Sequence, residues 1–346
     1  MFLIHRLAAP ERHYPTGARP ACKDRRVTPA PGGIALARSY FTELVAPTIR
    51  RHVPELRYAA ARLGSGSEVL GLDDEISRDH DWGLRLQLFV ADTDVTRLRS
   101  TLEDHLPTEF DGHPVRFGFS SDPAARLRID VDSVDSAAKQ HLGFDPRRDA
   151  SVQDWLSLSG QAVLKITAGE VFRDAVGDLT SLREALAWYP DDVWRYVIAC
   201  DWQRIDQELP LMQRAGHRGD DLGSRVIAAR LVDVTMHLGF LLCRQWVPYP
   251  KWRGTLFNRL PLHINVATAL SETLTADGWE DRAAHLADAL DALADHQGQL
   301  GIPTSSPTIA PFHDRTYRHI DHGMVPRLLE SIRNSDVRAL PPGLGS

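Results

Sequence analysis

What most limits the fold of this chain is a change of periodicity near residue 145. Before it, short alternating segments are interleaved with helical patterns. GLRLQLFV (83–90) and RLRIDVDSV (126–134) alternate apolar and polar side chains, as half-buried strands do. RYAAARLG (57–64) reads as a short strand running into a glycine-rich turn. TDVTRLRSTLEDHLP (93–107) sets Val95, Leu98, Leu102 and Leu106 along one helical face, and an earlier helix carries Leu36, Tyr40, Phe41, Leu44 and Val45, with a bend at Pro47. Strands trading places with helices predict an α/β domain with a mixed sheet over 34–145.

After residue 145 the strand signals fade. Residues 146–179 read as a connecting segment, and 180–346 as an all-α helical bundle. The run at 220–246 has a broad apolar face, and 280–300 is strongly amphipathic. Asp220–Asp221 and Glu280–Asp281 suit helix N-termini. Residues 1–33, rich in Pro, Arg and Gly without periodicity, read as a loosely ordered leader.

Composition narrows the function classes. A chain of 346 residues, 43% hydrophobic and 25% charged, can bury a sizeable core. Its net charge of −6 argues against coating nucleic acid through a general basic surface. Cys22, Cys200 and Cys243 are too few and too scattered for a disulfide framework, which fits a reducing cytoplasm. Arg6 and Pro10 interrupt the apolar start, so it lacks the plan of a signal peptide. The most apolar stretch, 231–246, contains Asp233, His237 and Arg244 and is too short and polar to span a bilayer, so no membrane partner is expected.

The chemistry is concentrated in LGSGSEVLGLDDEISRDHDWGLRLQLFV (63–90). Gly64, Ser65, Gly66 and Ser67 form a small-residue turn after a strand, where backbone N–H groups and serine hydroxyls can cradle a triphosphate. Eleven residues separate Ser67 from Asp79, and Asp79 and Asp81 stand two apart at the start of the next strand. Period-two geometry places both carboxylates on one face, with His80 on the other. Two like charges held so close invite a hard divalent cation. Asp73, Asp74 and Glu75, inside the spacer, read as a solvated loop.

A hydrophobic residue, Gly-Ser, a spacer of this length and Asp-x-Asp resemble the signature of the nucleotidyltransferase superfamily, which includes DNA polymerase beta and kanamycin nucleotidyltransferase. The match falls on Gly66, Ser67, Asp79 and Asp81. More narrowly, the chain resembles the bacterial domain-of-unknown-function 4037 family from about residue 34 to 330. This rests on GSGSEVLGLDDEISRDHDWG, WLSLSGQAVLKITAGEVFRD, LAWYPDDVWRYVIACDWQRIDQE, GDDLGSRVIAARLV and VPYPKWRGTLF.

The resemblance implies a nucleotidyltransferase-fold domain followed by the helical bundle. It also implies a third carboxylate from a later strand, at Asp130 or, on the same strand face, Asp132. Asp79, Asp81 and Asp130 would then hold Mg²⁺ (or Mn²⁺) against the phosphates of a nucleoside triphosphate, ATP first, with Gly66, Ser67 and Ser65 lining the phosphates. An acceptor hydroxyl would attack the α-phosphate and expel pyrophosphate.

In the helical half, Lys251 and Arg253 beside Tyr249 and Trp252 are readable either as a phosphate-and-base subsite or as a turn whose aromatics pack inward. Arg214, Arg218, Asp220 and Asp221 around a glycine break suit an anion site or a plain helix cap. His313, His319 and His322 lack metal-ligand spacing. The expected activity is nucleotidylation of a small molecule. Its alternatives are nucleotidylation of a protein or tRNA end, and a nucleotide sensor without catalysis.

Overall fold

The computed structural model describes residues 32–74, 76, 81–262 and 265–343. The first helical run consists of α1 (Gly33–Ser39), a π-helical turn (Tyr40–Val45) and α2 (Ala46–His52). Pro47 lies in the first turn of α2 and cannot donate to the carbonyl four residues back. The preceding turn widens instead, and the Ala46 N–H reaches the Phe41 carbonyl. The expected bend is thus a π-bulge.

β1 (Ala59–Arg62) and β2 (Leu86–Phe89) pair antiparallel, and α3 (Val95–His105) follows. Two small hairpins come next, β3 (Glu109–Phe110) with β4 (His113–Pro114), and β5 (Arg116–Phe119) with β6 (Asp122–Leu127). β7 (Ile129–Asp132) then lies parallel to β2. The run expected as one strand over 126–134 therefore breaks at Arg128. Its guanidinium donates to the carbonyls of Phe117, Asp122 and Ala124 and sits 3.9 Å over the Phe119 ring.

After α4 (Val134–Leu142), the stretch expected as a connector supplies α5 (Val152–Leu156), α6 (Gly160–Thr167) and β8 (Glu170–Asp174). β8 pairs antiparallel with β1, giving a mixed four-stranded sheet in the order β7-β2-β1-β8.

Alternation along the strands sorts the two faces of the sheet. Ala60, Leu86, Leu88, Ile129 and Val131 pack against Leu36, Tyr40, Ile49 and Leu98. Ala59, Ala61 and Phe89 face the other way, toward α4, α6 and the helices beyond. Leu86 and Leu88 are fully buried, each removal from water stabilising the fold by about 1.5–3 kcal/mol.

The second half contains α7 (Asp178–Ala185), α8 (Asp191–His217), α9 (Asp221–Leu242), α10 (Pro250–Phe257), α11 (Asn265–Thr275) and α12 (Trp279–Gln299). α8 is its axis; Trp202 on it donates to Gln297 of α12 at 2.8 Å. Arg282, fully buried, donates to Ser224 at 2.6 Å and Asp221 at 2.9 Å. This half is not all-α. β9 (Ile309–Pro311) and β10 (Arg318–Ile320) form a hairpin that Asp206 of α8 secures by accepting from the Ile320 N–H at 3.1 Å. Two short helices, α13 (Met324–Glu330) and α14 (Ser335–Arg338), complete the described chain. Among the described residues no helix is long and apolar enough to cross a membrane.

Leu88→Ala should lower the unfolding free energy by about 2–5 kcal/mol, because neighbours on a central strand cannot collapse into the cavity. Val226→Ala, on an exposed face of α9, should stay within about 0.5 kcal/mol. Urea denaturation of the two variants checks the contrast.

Candidate functional site

β1 ends at Arg62, and the small-residue turn begins at once. The Gly64 N–H donates to the Lys165 carbonyl at 2.8 Å, tying the turn to α6. Gly66 has φ 130°, and a Cβ there would lie 2.2 Å from a carboxylate oxygen of Glu68, so only glycine fits. Arg62 and Glu68, both buried, form an ion pair beneath the turn. Arg62 also donates to the Leu63 and Ser65 carbonyls, the latter at 2.7 Å. Burial pushes the Arg62 pKa down and Glu68 opposes it. Among the described residues, the N–H groups of Ser65, Gly66 and Ser67 make no hydrogen bond.

Arg85 precedes β2 and reaches back to this turn. Its guanidinium donates to the Ser65 hydroxyl at 3.1 Å and the Asp81 carbonyl at 3.2 Å, and stands 3.8 Å from Glu68. Burial, with the Arg62 charge second, lowers its pKa to about 10, so it keeps its charge at neutral pH. Gln87 faces Asp130 across the parallel pair. Its carbonyl accepts from the Leu63 N–H at 2.7 Å and its amide donates to Asp130 at 3.1 Å, so one side chain joins the turn to β7.

These groups line a cleft of about 510 Å³ between the sheet and α4, α6 and α7. Ser65, Arg85, Gln87, Asp130 and Asp132 form one wall. His141 and Lys165 form the other, above an apolar floor that includes Phe89, Ile166 and Leu182. Asp132 is committed, accepting from the Ser133 N–H at 2.8 Å and the Ser136 hydroxyl at 3.1 Å. Asp130 keeps Oδ1 free of hydrogen bonds among the described residues. Lys165 makes no hydrogen bond or ion pair through its side chain among them. Burial lowers the His141 pKa, with Lys165 adding to it and Asp130 and Asp132 opposing.

The sequence-predicted residues separate. Ser65, Asp130 and Asp132 line the cleft. Gly66 and Ser67 turn away from it, because Glu68 folds back against Gly66 to meet Arg62, and Ser67 is buried. Asp79 lies outside the described residues. Asp81 is not on a strand: it takes φ 55° in a bend ahead of β2, and its carboxylate accepts from the Ser120 N–H at 2.6 Å. The period-two argument does not reach it, since alternation needs extended backbone.

Lys251 is exposed on α10, its ammonium 4.9 Å from the Trp252 ring, and is not among the residues lining the cleft. Arg253 pairs with Asp233. Asp220 caps α9 by accepting from the Gly223 N–H at 2.8 Å, and Asp221 pairs with Arg225 and Arg282, which favours the plain cap over an anion site. Among the described residues, no three His, Cys, Asp or Glu side chains come together closely enough to hold a metal. Asp130 offers one open oxygen, Asp132 is occupied and a guanidinium stands nearby. The described residues alone do not fit a resident metal ion.

Sequence reasoning missed Arg62, Arg85, Gln87, His141 and Lys165. Lys165 leaves a signal in retrospect, a lone cation in the apolar run QAVLKIT.

The segment carrying Lys165 also has recognisable kin. Residues 155–253 match the family model described as Domain of unknown function (DUF4037). The family resemblance is borne out over that segment, which runs from α5 through α6 and β8 into α10. No curated protein matches the chain. Among solved structures, the chain is similar to a nucleotidyltransferase-like protein from Exiguobacterium sibiricum 255-15. The identity is 11% and the TM-score 0.35, over 82% of this chain and 83% of that one.

The matched segment thus supplies part of one wall of the cleft, and its Lys165 influences His141 from outside it. The His141 titration midpoint should lie below 6.5, and Lys165→Gln should move it upward by removing a like charge. Proton-resolved NMR of the His141 ring over pH 4–8 checks both the position and the direction.

Proposed function

We propose that the cleft binds a nucleoside triphosphate, ATP first, and moves its nucleoside monophosphate onto a hydroxyl of a small molecule. The observation that carries this reading is the meeting of Ser65, Arg85, Lys165 and Asp130 on one cleft. Transfer of this kind asks for positioning and charge stabilisation more than for covalent chemistry by the protein. The acceptor oxygen bonds to the α-phosphorus, the α–β phosphoanhydride bond breaks, and pyrophosphate leaves. Arg85 and Lys165 offset charge on the phosphates. Asp130, with its free oxygen, takes the hydroxyl proton. The apolar floor suits a base or the carbon skeleton of an acceptor. Magnesium or manganese enters this reading as the ion that the triphosphate carries in.

A second reading, a nucleotide sensor without transfer, draws on Asp81, whose carboxylate is already held by the Ser120 N–H.

Thermal melts with each of the four nucleoside triphosphates test binding. A nucleotide at 100 times its Kd should stabilise the fold by about 2.7 kcal/mol. Label transfer from α-labelled nucleotide into a panel of hydroxylated small molecules tests chemistry. Asp130→Asn should keep the nucleotide-induced shift while cutting transfer by about 100-fold or more. A shift without transfer into any acceptor favours the sensor, and no shift with any nucleotide defeats both readings.

A further inference from the structure

The carboxylate pair in the sequence suggests that a polyphosphate needs a divalent cation before it can approach. The described lining of the cleft is built otherwise. It carries three cations, Arg85, Arg99 and Lys165, against two carboxylates, Asp130 and Asp132. The Arg62–Glu68 pair behind the turn is neutral as a unit. Asp132 is further occupied by Ser133 and Ser136.

Position matters as much as sign. Beside Asp130, the polar side chains lining the cleft are Gln87 of β2 and Arg85 just before it, so the charge beside that carboxylate is a guanidinium held in place. Arg85 is oriented by the Ser65 hydroxyl and the Asp81 carbonyl, and it stacks 5.1 Å from the Phe119 ring. Its charge needs no reorganisation to meet a phosphate. Lys165 approaches from the opposite wall with no partner of its own among the described residues. The Ser65 N–H, also without a partner among the described residues, adds a donor at the end of β1.

We propose that Arg85 and Lys165 are a built-in counter-charge, so that the cleft binds the polyphosphate of its ligand without a divalent metal ion. This rests on the nucleotide reading for the identity of the ligand, but not for its phosphate chemistry. The fixed cations do in the resting protein what a metal would do on arrival, and Asp130 is left for the acceptor.

The test is isothermal titration of the full chain with ATP and, separately, with inorganic triphosphate, each in EDTA and in Mg²⁺. Both ligands should bind in EDTA, with Kd within about tenfold of the Mg²⁺ value, a difference of about 1.4 kcal/mol or less. Lys165→Gln, a change at a half-buried lysine whose side chain has no partner among the described residues and which should leave the fold intact, should weaken binding in EDTA by about tenfold or more. Arg85→Lys keeps the charge but loses the two-pronged geometry and should weaken it less than Lys165→Gln does. Asp130→Asn should tighten binding in EDTA by removing a like charge.

Triphosphate binding in EDTA with no ATP binding under either condition would support the fixed cations and remove the nucleotide reading. Binding of either ligand only after Mg²⁺ is added, or its loss in Asp130→Asn, would overturn the proposal.

Discussion

An arginine leaves water at high cost unless its charge is paired and its donors find acceptors. Arg62, at the end of β1, is buried, and its acceptors are Glu68 and the carbonyls of Leu63 and Ser65. These acceptors are the turn itself. Satisfying the guanidinium therefore dictates how the chain from 63 to 68 must curl, and the curl forces glycine at 66. Such a pair adds little net stability once desolvation is counted, but breaking it by removing one partner leaves an uncompensated buried charge. Its contribution is to shape. The outward side of the same turn presents the Ser65 hydroxyl to Arg85, and Gly64 and Ser65 to the cleft.

From that turn the site is transmitted sideways by hydrogen bonds. Gln87 links the Leu63 backbone to Asp130, and the Lys165 carbonyl takes the Gly64 N–H. β1, β2, β7 and α6 are thus held to one geometry by directional hydrogen bonds, while Arg85 and Lys165 line the open space. Apolar packing on the far sheet face, through Leu86, Leu88 and Val131, keeps the strand register that brings Gln87 opposite Asp130. A one-residue slip would send Gln87 into the core and a leucine into the cleft.

Much of this frame was legible because periodicity reports burial. The alternation of GLRLQLFV and the helical stripe of 93–107 reappear as β2 and α3, and Asp130 faces the cleft because Ile129 and Val131 face the core. What failed was geometry in irregular backbone. Asp81 looked like a strand residue because it stands two from Asp79, yet its left-handed φ removes it from any strand pattern. β8 was missed because EVFRD is a half-buried edge strand with weak alternation. Lys165 was overlooked because its neighbours Val163 and Ile166 mark a core helix, and a lysine on such a helix declares itself only when the opposing wall is known. The strand break at Arg128 depends on carbonyls from a hairpin that no local pattern announces.

The late position of β8 has a consequence for biosynthesis. β1 is complete when residue 62 leaves the ribosome, but its second edge is covered only by a strand ending at Asp174. From the end of β2 at Phe89 to the end of β8 at Asp174 the nascent sheet carries an unpaired row of N–H and C=O groups, open to pairing with neighbouring chains. A fragment ending near residue 145 would keep that raw edge for good. It would also lack Lys165, whose carbonyl anchors Gly64. The α/β half is therefore not a module that could be cut out and moved to another protein. Its sheet and its cleft are both finished by sequence that lies beyond it.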